Sequence, residues 1–149
     1  MNIHVVRPDG SWYARPDTTL VRDDDRFFLP DDCTATRAVR ACCIRIAKAG
    51  KAVAPQFVRR YYDGCAESIL FYGVLQDGGD TPFLDRSTWV SRDFRPAETL
   101  DTALREQVAQ GLCRISRHLS LRIGDFLIFE LSAPAEFRRG DQIDNIAIL

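Results

Sequence analysis

Leu119-Ser120-Leu121-Arg122-Ile123-Gly124-Asp125-Phe126-Leu127-Ile128-Phe129-Glu130-Leu131 is the stretch that decides the fold. Upstream of it, from Thr99 to His118, the apolar residues Leu100, Leu104, Val108, Leu112, Ile115 and Leu119 recur at spacings of three or four. That is the period of an amphipathic helix, and no other long segment of the chain has it. Gly111 inside the pattern costs about 1 kcal/mol relative to Ala. Within the quoted stretch, Arg122-Ile123-Gly124-Asp125 turns the chain. Phe126 to Leu131 then runs almost wholly apolar and predicts a buried strand.

Outward from this centre the pattern is strand-rich. Downstream, a Pro-containing loop and the turn Arg138-Arg139-Gly140-Asp141 lead to a closing strand, Ile143 to Ile148. Upstream, Ser68 to Leu75 is apolar on alternate and intervening positions alike, as in a strand buried on both faces. Asp77-Gly78-Gly79-Asp80 follows it as a turn. Ala41 to Ala47 predicts another strand, broken at Gly50, and Pro55 opens a short helix, Gln56 to Tyr62. Ile3 to Val6 and Ser11 to Ala14 flank Arg7-Pro8-Asp9-Gly10 as an N-terminal hairpin. Asp23-Asp24-Asp25 precedes the apolar run Phe27-Phe28-Leu29, and no oxygen ligands at fixed spacing accompany it, so it reads as solvated charge. No repeat, linker or low-complexity segment interrupts the chain. The fold class is α+β, mostly strands, in one domain over residues 1–149.

With 20 Lys+Arg against 21 Asp+Glu, the net charge of −1 gives no electrostatic case for nucleic acid or a membrane surface. The longest strongly apolar run, Phe126 to Leu131, is too short to span a bilayer. The N-terminus shows neither the charged nor the apolar region of a signal peptide, so the expected compartment is the cytoplasm. Five cysteines (Cys33, Cys42, Cys43, Cys65, Cys113) are an odd number with no C-x-x-C pair, and the two histidines are far apart. Adjacent Cys42 and Cys43 in a strand point to opposite faces. Small buried thiols are the expectation, not a zinc site.

Three blocks, in order along the chain, resemble the fumarylacetoacetate hydrolase family. The first is Lys48-Ala49-Gly50-Lys51 with Phe57-Val58-Arg59-Arg60-Tyr61-Tyr62-Asp63. The second is Ile69 to Gln76. The third is the opening stretch itself with Ala133-Pro134-Ala135 and Arg139-Gly140-Asp141, similar to the family's "GD … TGTPAGV … GD" ending. The resemblance implies a mixed β-roll or sandwich with one long helix in the C-terminal half. It also implies Mg²⁺, Mn²⁺ or Ca²⁺ held by a Glu-x-Glu pair and an Asp, polarising a β-diketone or 2-keto acid. Such hard cations require several oxygen ligands, some of them anionic.

Counted back from Gly50-Lys51, the Glu-x-Glu pair falls on Val39-Arg40-Ala41, and the Asp falls on Leu70. A slip of one residue substitutes Ala38 and Arg40 and restores no carboxylate. The family's substrate-contacting Lys falls near Ser87, and the Thr of its "TGTP" loop falls on Ala133. Positions 39, 41 and 70 are therefore read as vestigial metal positions, with 87 and 133 as vestigial substrate positions. The expectation is a shortened, non-catalytic homologue with no cofactor, either binding a small carboxylate-type ligand or serving as a partner subunit. The alternative is a divergent C–C bond hydrolase or isomerase with rebuilt residues, for which Glu67 and Glu130 are the candidate acids. The family's hairpin between the middle of the chain and the long helix is missing, leaving strand edges that a homodimer would cover.

Overall fold

The computed structural model describes residues 1–22 and 24–149; Asp23, first of the acidic triplet, lies outside the described residues. Strands β1 (Ile3–Val6) and β2 (Trp12–Arg15) form the N-terminal hairpin, followed by β3 (Leu20–Val21) and β4 (Arg26–Phe27). Two long strands come next, β5 (Cys33–Ile46) and β6 (Tyr62–Leu75). Short strands β7 (Asp80–Thr81), β8 (Thr88–Val90) and β9 (Arg95–Pro96) lead to helix α1 (Thr102–His118). The chain closes with β10 (Phe126–Glu130), β11 (Ala135–Phe137), β12 (Gln142–Ile143) and β13 (Ile146–Ile148). The main sheet follows the path β2-β1-β10-β5-β6-β8-β3 and curls into a half-barrel, and a small sheet has the order β12-β13-β4.

The β5–β6 ladder organises everything else. It is antiparallel from Cys33 opposite Leu75 to Ile46 opposite Tyr62. Side chains alternate across a strand, so each strand feeds two faces. One face sends Val39, Ala41, Cys43, Ala66, Leu70 and Tyr72 into the interior of the curl, against Ile3, Val5, Phe126 and Ile128. The opposite face is covered in two places. At one end Cys42, Ile44 and Cys65 pack with Leu127 and Phe129 against Val108, Leu112 and Ile115 of α1. At the other end Ala38, Ile69 and Phe71 pack against Phe27, Ile143, Ile146 and Ile148 of the small sheet. Phe27 and Phe71 stack with ring centroids 4.6 Å apart. Arg40 and Glu67 fall in the interval between these two clusters.

Helix α1 starts three residues later than its apolar period predicts, because Asp101 is the cap: its carboxylate accepts the Leu104 amide at 2.8 Å. Leu119 is 42% exposed, since the chain becomes extended there and leaves the helical face. Gly111 has a packing reason. A Cβ there would lie 2.7 Å from the Phe129 ring, so the glycine lets β10 approach the helix.

Three further expectations change. The segment predicted as a helix from Gln56 to Tyr62 is a 3-10 turn over Pro55–Tyr61, with Tyr62 already opening β6. The closing strand is a hairpin, β12 and β13, turned at Asp144-Asn145. Asp144 has φ 52°, a left-handed conformation that Asp tolerates better than most residues. The strand predicted from Ala41 to Ala47 begins eight residues earlier, at Cys33. Among the described residues no helix is long and apolar enough to cross a membrane.

Candidate functional site

Val39 and Leu70 are direct cross-strand partners, and Ala41 faces Ser68 one step along the same face. All three belong to one apolar cluster, with exposures of 1%, 0% and 4%. On its other side Leu70 is paired with Thr88 of β8. Thr88 accepts from Arg15 Nη1 at 3.2 Å, so a guanidinium lies beside this row.

Arg15 is 2% exposed, and its partners explain how the cation is held. Nη1 also donates to the Ser87 carbonyl and hydroxyl, each at 3.0 Å, and Nε donates to the Tyr13 hydroxyl at 3.0 Å. The hydroxyls of Tyr13 and Tyr72 are 2.7 Å apart, and Tyr72 donates to Glu130. Since the Tyr13 oxygen accepts from Arg15, its proton points to Tyr72, and the Tyr72 proton points to Glu130. A chain of hydrogen bonds thus runs from a buried cation to a half-buried carboxylate. Burial, with Tyr13 and Glu130 adding to it, pushes the Tyr72 phenol above its ordinary range.

Ser87, a residue singled out from the sequence, is fully buried in this network and donates to the Leu84 carbonyl at 2.6 Å. Ala133 is exposed on the loop after β10 and is far from Ser87 in role: it makes no part of the network or of the cleft below. Glu130 is tied to Tyr72, and Glu67 is exposed on the opposite face of the sheet.

That opposite face carries a cleft of about 480 Å³. Its floor is a row across three strands: Arg40 on β5 opposes Ile69 on β6, which opposes Trp89 on β8. Glu67 stands beside the row, two positions from Ile69 on β6. The hairpin residues Asp144 and Ile146 form one wall, and Arg22, Asp24 and Asp25 form another. Arg40 makes a two-point ion pair with Asp144, both contacts 2.8 Å. Asp24 accepts from Arg26 at 3.0 Å and from Arg86. The hydrogen bond from Arg26 holds the Asp24 carboxyl below the usual carboxylate range.

Of the candidates read from the sequence, only Ala41 and Glu67 border this cleft. Arg40, Arg22, Trp89 and Asp144 were not among them. Arg40 carried no signal of its own: it is one of three arginines in β5, with Arg37 and Arg45. The cysteines take no part in chemistry here. All five are free and buried, and burial pushes the Cys42 thiol up to about 12.

No family profile matches the sequence, and no curated protein matches it significantly. Solved structures do. Maleylpyruvate hydrolase from Sphingobium sp. SYK-6 superimposes with a TM-score of 0.79 at 15% identity, covering 99% of this chain and 70% of that one. A fumarylacetoacetate hydrolase family protein from Yersinia pestis gives 0.74 at 14% identity, over 93% of this chain and 84% of that one. Fumarylpyruvate hydrolase from Pseudomonas aeruginosa, solved with Mn²⁺ and pyruvate, gives 0.71 at 13% identity, over 94% and 82%.

The fold is that of fumarylacetoacetate hydrolases. At 13–15% identity the likeness to these three is one of architecture. The fumarylacetoacetate hydrolase fold brings with it the question of a metal, which the sequence reading places at positions 39, 41 and 70. Val39, Ala41 and Leu70 offer no oxygen, and the charge beside them, Arg15, has the same sign as the ion. These residues do not fit a hard divalent cation. Among the described residues, no group of three or more His, Cys, Asp or Glu is arranged to hold a metal.

Proposed function

We propose that this chain is a non-catalytic protein of the fumarylacetoacetate hydrolase fold that binds a small carboxylate-bearing molecule, without a metal, in the cleft over Arg40, Ile69 and Trp89. The observation that carries the reading is the sealed row Val39–Leu70–Thr88 with the Arg15 guanidinium against it. An electrophilic metal cannot be recruited by aliphatic side chains next to a fixed positive charge. What remains is a concave site of ordinary ligand size, apolar along Ile69, Trp89 and Ile146, with Arg40, which holds Asp144 through two of its five N–H donors, as the cation that would meet an anion.

The candidate acids of the enzyme alternative are poorly placed for that role. Glu67 is exposed, and Glu130 already accepts from Tyr72. A reducing compartment, the cytoplasm, suits a chain whose five thiols are all free and buried.

Two measurements test the reading. Calorimetric titration with Mg²⁺, Mn²⁺ or Ca²⁺ is expected to show no tight site. Incubation of an acylpyruvate with the protein and Mn²⁺ is expected to release no pyruvate. Stoichiometric metal binding lost in Glu67→Gln or Glu130→Gln, or metal-dependent release of pyruvate, overturns it.

A further inference from the structure

We propose that a second cleft, between α1 and the turn Pro55–Tyr61, is a binding site for a small phosphate monoester. It shares no residue with the cleft over Arg40 and goes beyond the reading above. The space measures about 340 Å³, with Pro55, Val58 and Ala109 as an apolar wall and Arg59, Tyr62 and Arg105 as donors. Two backbone carbonyls fix the two cations. Arg59 Nη1 donates to the Tyr62 carbonyl at 2.8 Å, and Arg105 Nη2 donates to the Glu98 carbonyl at 2.6 Å. A neutral carbonyl orients a guanidinium without cancelling its charge. The Glu98 carboxylate also borders the cleft, and Arg59 Nη2 donates to it. Among the described residues of the lining, two guanidiniums therefore stand against one carboxylate.

A buried donor completes the set. Tyr62 is 4% exposed, and among the described residues its hydroxyl makes no hydrogen bond. Burial pushes this phenol up while Arg59 and Arg105 pull it down, so both cations lie around it and the hydroxyl keeps its proton to donate. Glu98 shows what these donors accept, an oxyanion, supplied here by the protein itself. Its side chain is 70% exposed, and an ion pair so open to water is weak enough to be displaced. A ligand oxyanion can take its place. Phosphate suits the set better than carboxylate does. The donors come from three residues, and a monoester offers three terminal oxygens where a carboxylate offers two. The wall of Pro55, Val58 and Ala109 receives the apolar body of the ester.

Calorimetric titration of the full chain with phenyl phosphate and with phenylacetate tests the site. Phenyl phosphate is expected to bind roughly tenfold more tightly than phenylacetate. Tyr62→Phe, which removes only the hydroxyl, and Arg105→Gln should each weaken it by roughly tenfold. Glu98→Gln should strengthen it, because the competing carboxylate is gone, a gain that a merely structural Glu98 would not give. Arg105 and Glu98 are exposed, and circular dichroism confirms the fold of each variant. Absence of phenyl phosphate binding at millimolar concentration overturns the proposal. So does an affinity unchanged in both Tyr62→Phe and Arg105→Gln, or weakened in Glu98→Gln. Phenylacetate binding as tightly as phenyl phosphate overturns the phosphate class. A loss seen only in Arg40→Gln places the anion in the other cleft and overturns this site. A phosphotyrosyl peptide binding more tightly than phenyl phosphate assigns the cleft to a protein partner and overturns the small-molecule reading.

Discussion

Arg15 and Ser87 meet at 3.0 Å although β2 lies at one end of the sheet path and Ser87 adjoins β8 near the other. The contact ties the two margins of the curl together through the interior. Among the described residues, the acceptors of this buried cation are all neutral, and Nη2 makes no hydrogen bond.

Arg15→Met is therefore expected to lower stability by roughly 2–3 kcal/mol, because it leaves Ser87, Thr88 and Tyr13 with buried acceptors unmet. Arg15→Lys should recover only part of the loss, since an ammonium cannot reproduce the fork. Urea denaturation gives the answer: the midpoint should fall with little change in slope. A midpoint unchanged in Arg15→Met would mean that the guanidinium does not hold the curl closed.

Gly111→Ala sets two effects against each other. Helix propensity favours Ala by about 1 kcal/mol. The new methyl would sit 2.7 Å from the ring of Phe129, which is 1% exposed. Overpacking is expected to win, with a net loss of about 1–2 kcal/mol. Pairing the change with Phe129→Leu should reduce its cost in a double-mutant cycle. A stabilised single variant would show that the helix can shift away from β10.

His4 should make stability sensitive to acid. Its ring is 2% exposed, packs edge-on to Trp12 at 6.1 Å, and leaves both nitrogens without a hydrogen-bond partner. Burial lowers its pKa below 6.5, against a smaller opposing pull from Asp125. Below pH 6.5 the unfolded chain takes up a proton that the folded protein resists, so stability is full above that pH and falls beneath it. The slope is at most about 1.4 kcal/mol per pH unit. Thermal melts of His4→Leu between pH 5 and 7 (roughly the His window) should lack this component. An identical pH dependence in the variant would place the acid sensitivity elsewhere.

Association is the fourth expectation. Among the described residues, strands β2 and β3 end the main sheet with unpaired edges, and Ile123, Phe83 and Leu131 are 73%, 61% and 52% exposed. Open edges and exposed apolar side chains both invite cover. A symmetric homodimer is the simplest closed solution. Light scattering over a dilution series should return a mass near twice 16.9 kDa. A strict monomer at tens of micromolar would contradict this.

Local patterns carried much of the architecture. The period of α1, the turn at Gly124 and the apolar runs of β6 and β10 are all short-range signals, and the structure follows them within a few residues. The small strands β3, β7, β8 and β9 left no such mark, because two or three residues cannot establish a period. Family likeness directed attention to positions 39, 41 and 70, whose side chains share the interior face. Arg40 and Glu67 each fell one residue before a strand read from the sequence, so neither was assigned a face. That they border a cleft was not legible: its walls come from Arg22, Trp89 and Asp144, residues brought together only by the curl and by the small sheet.

Because β5 and β6 are covered on both faces along most of their length, they cannot absorb a change in chain length. Inserting or deleting one residue near Val39 would reverse every side chain beyond it. Arg40 would enter the interior beside Arg15, and Val39 and Ala41 would line the cleft. Natural variation in this scaffold should therefore take the form of substitutions within the two long strands, while gains and losses of residues collect in the connections after Leu75 and Leu131.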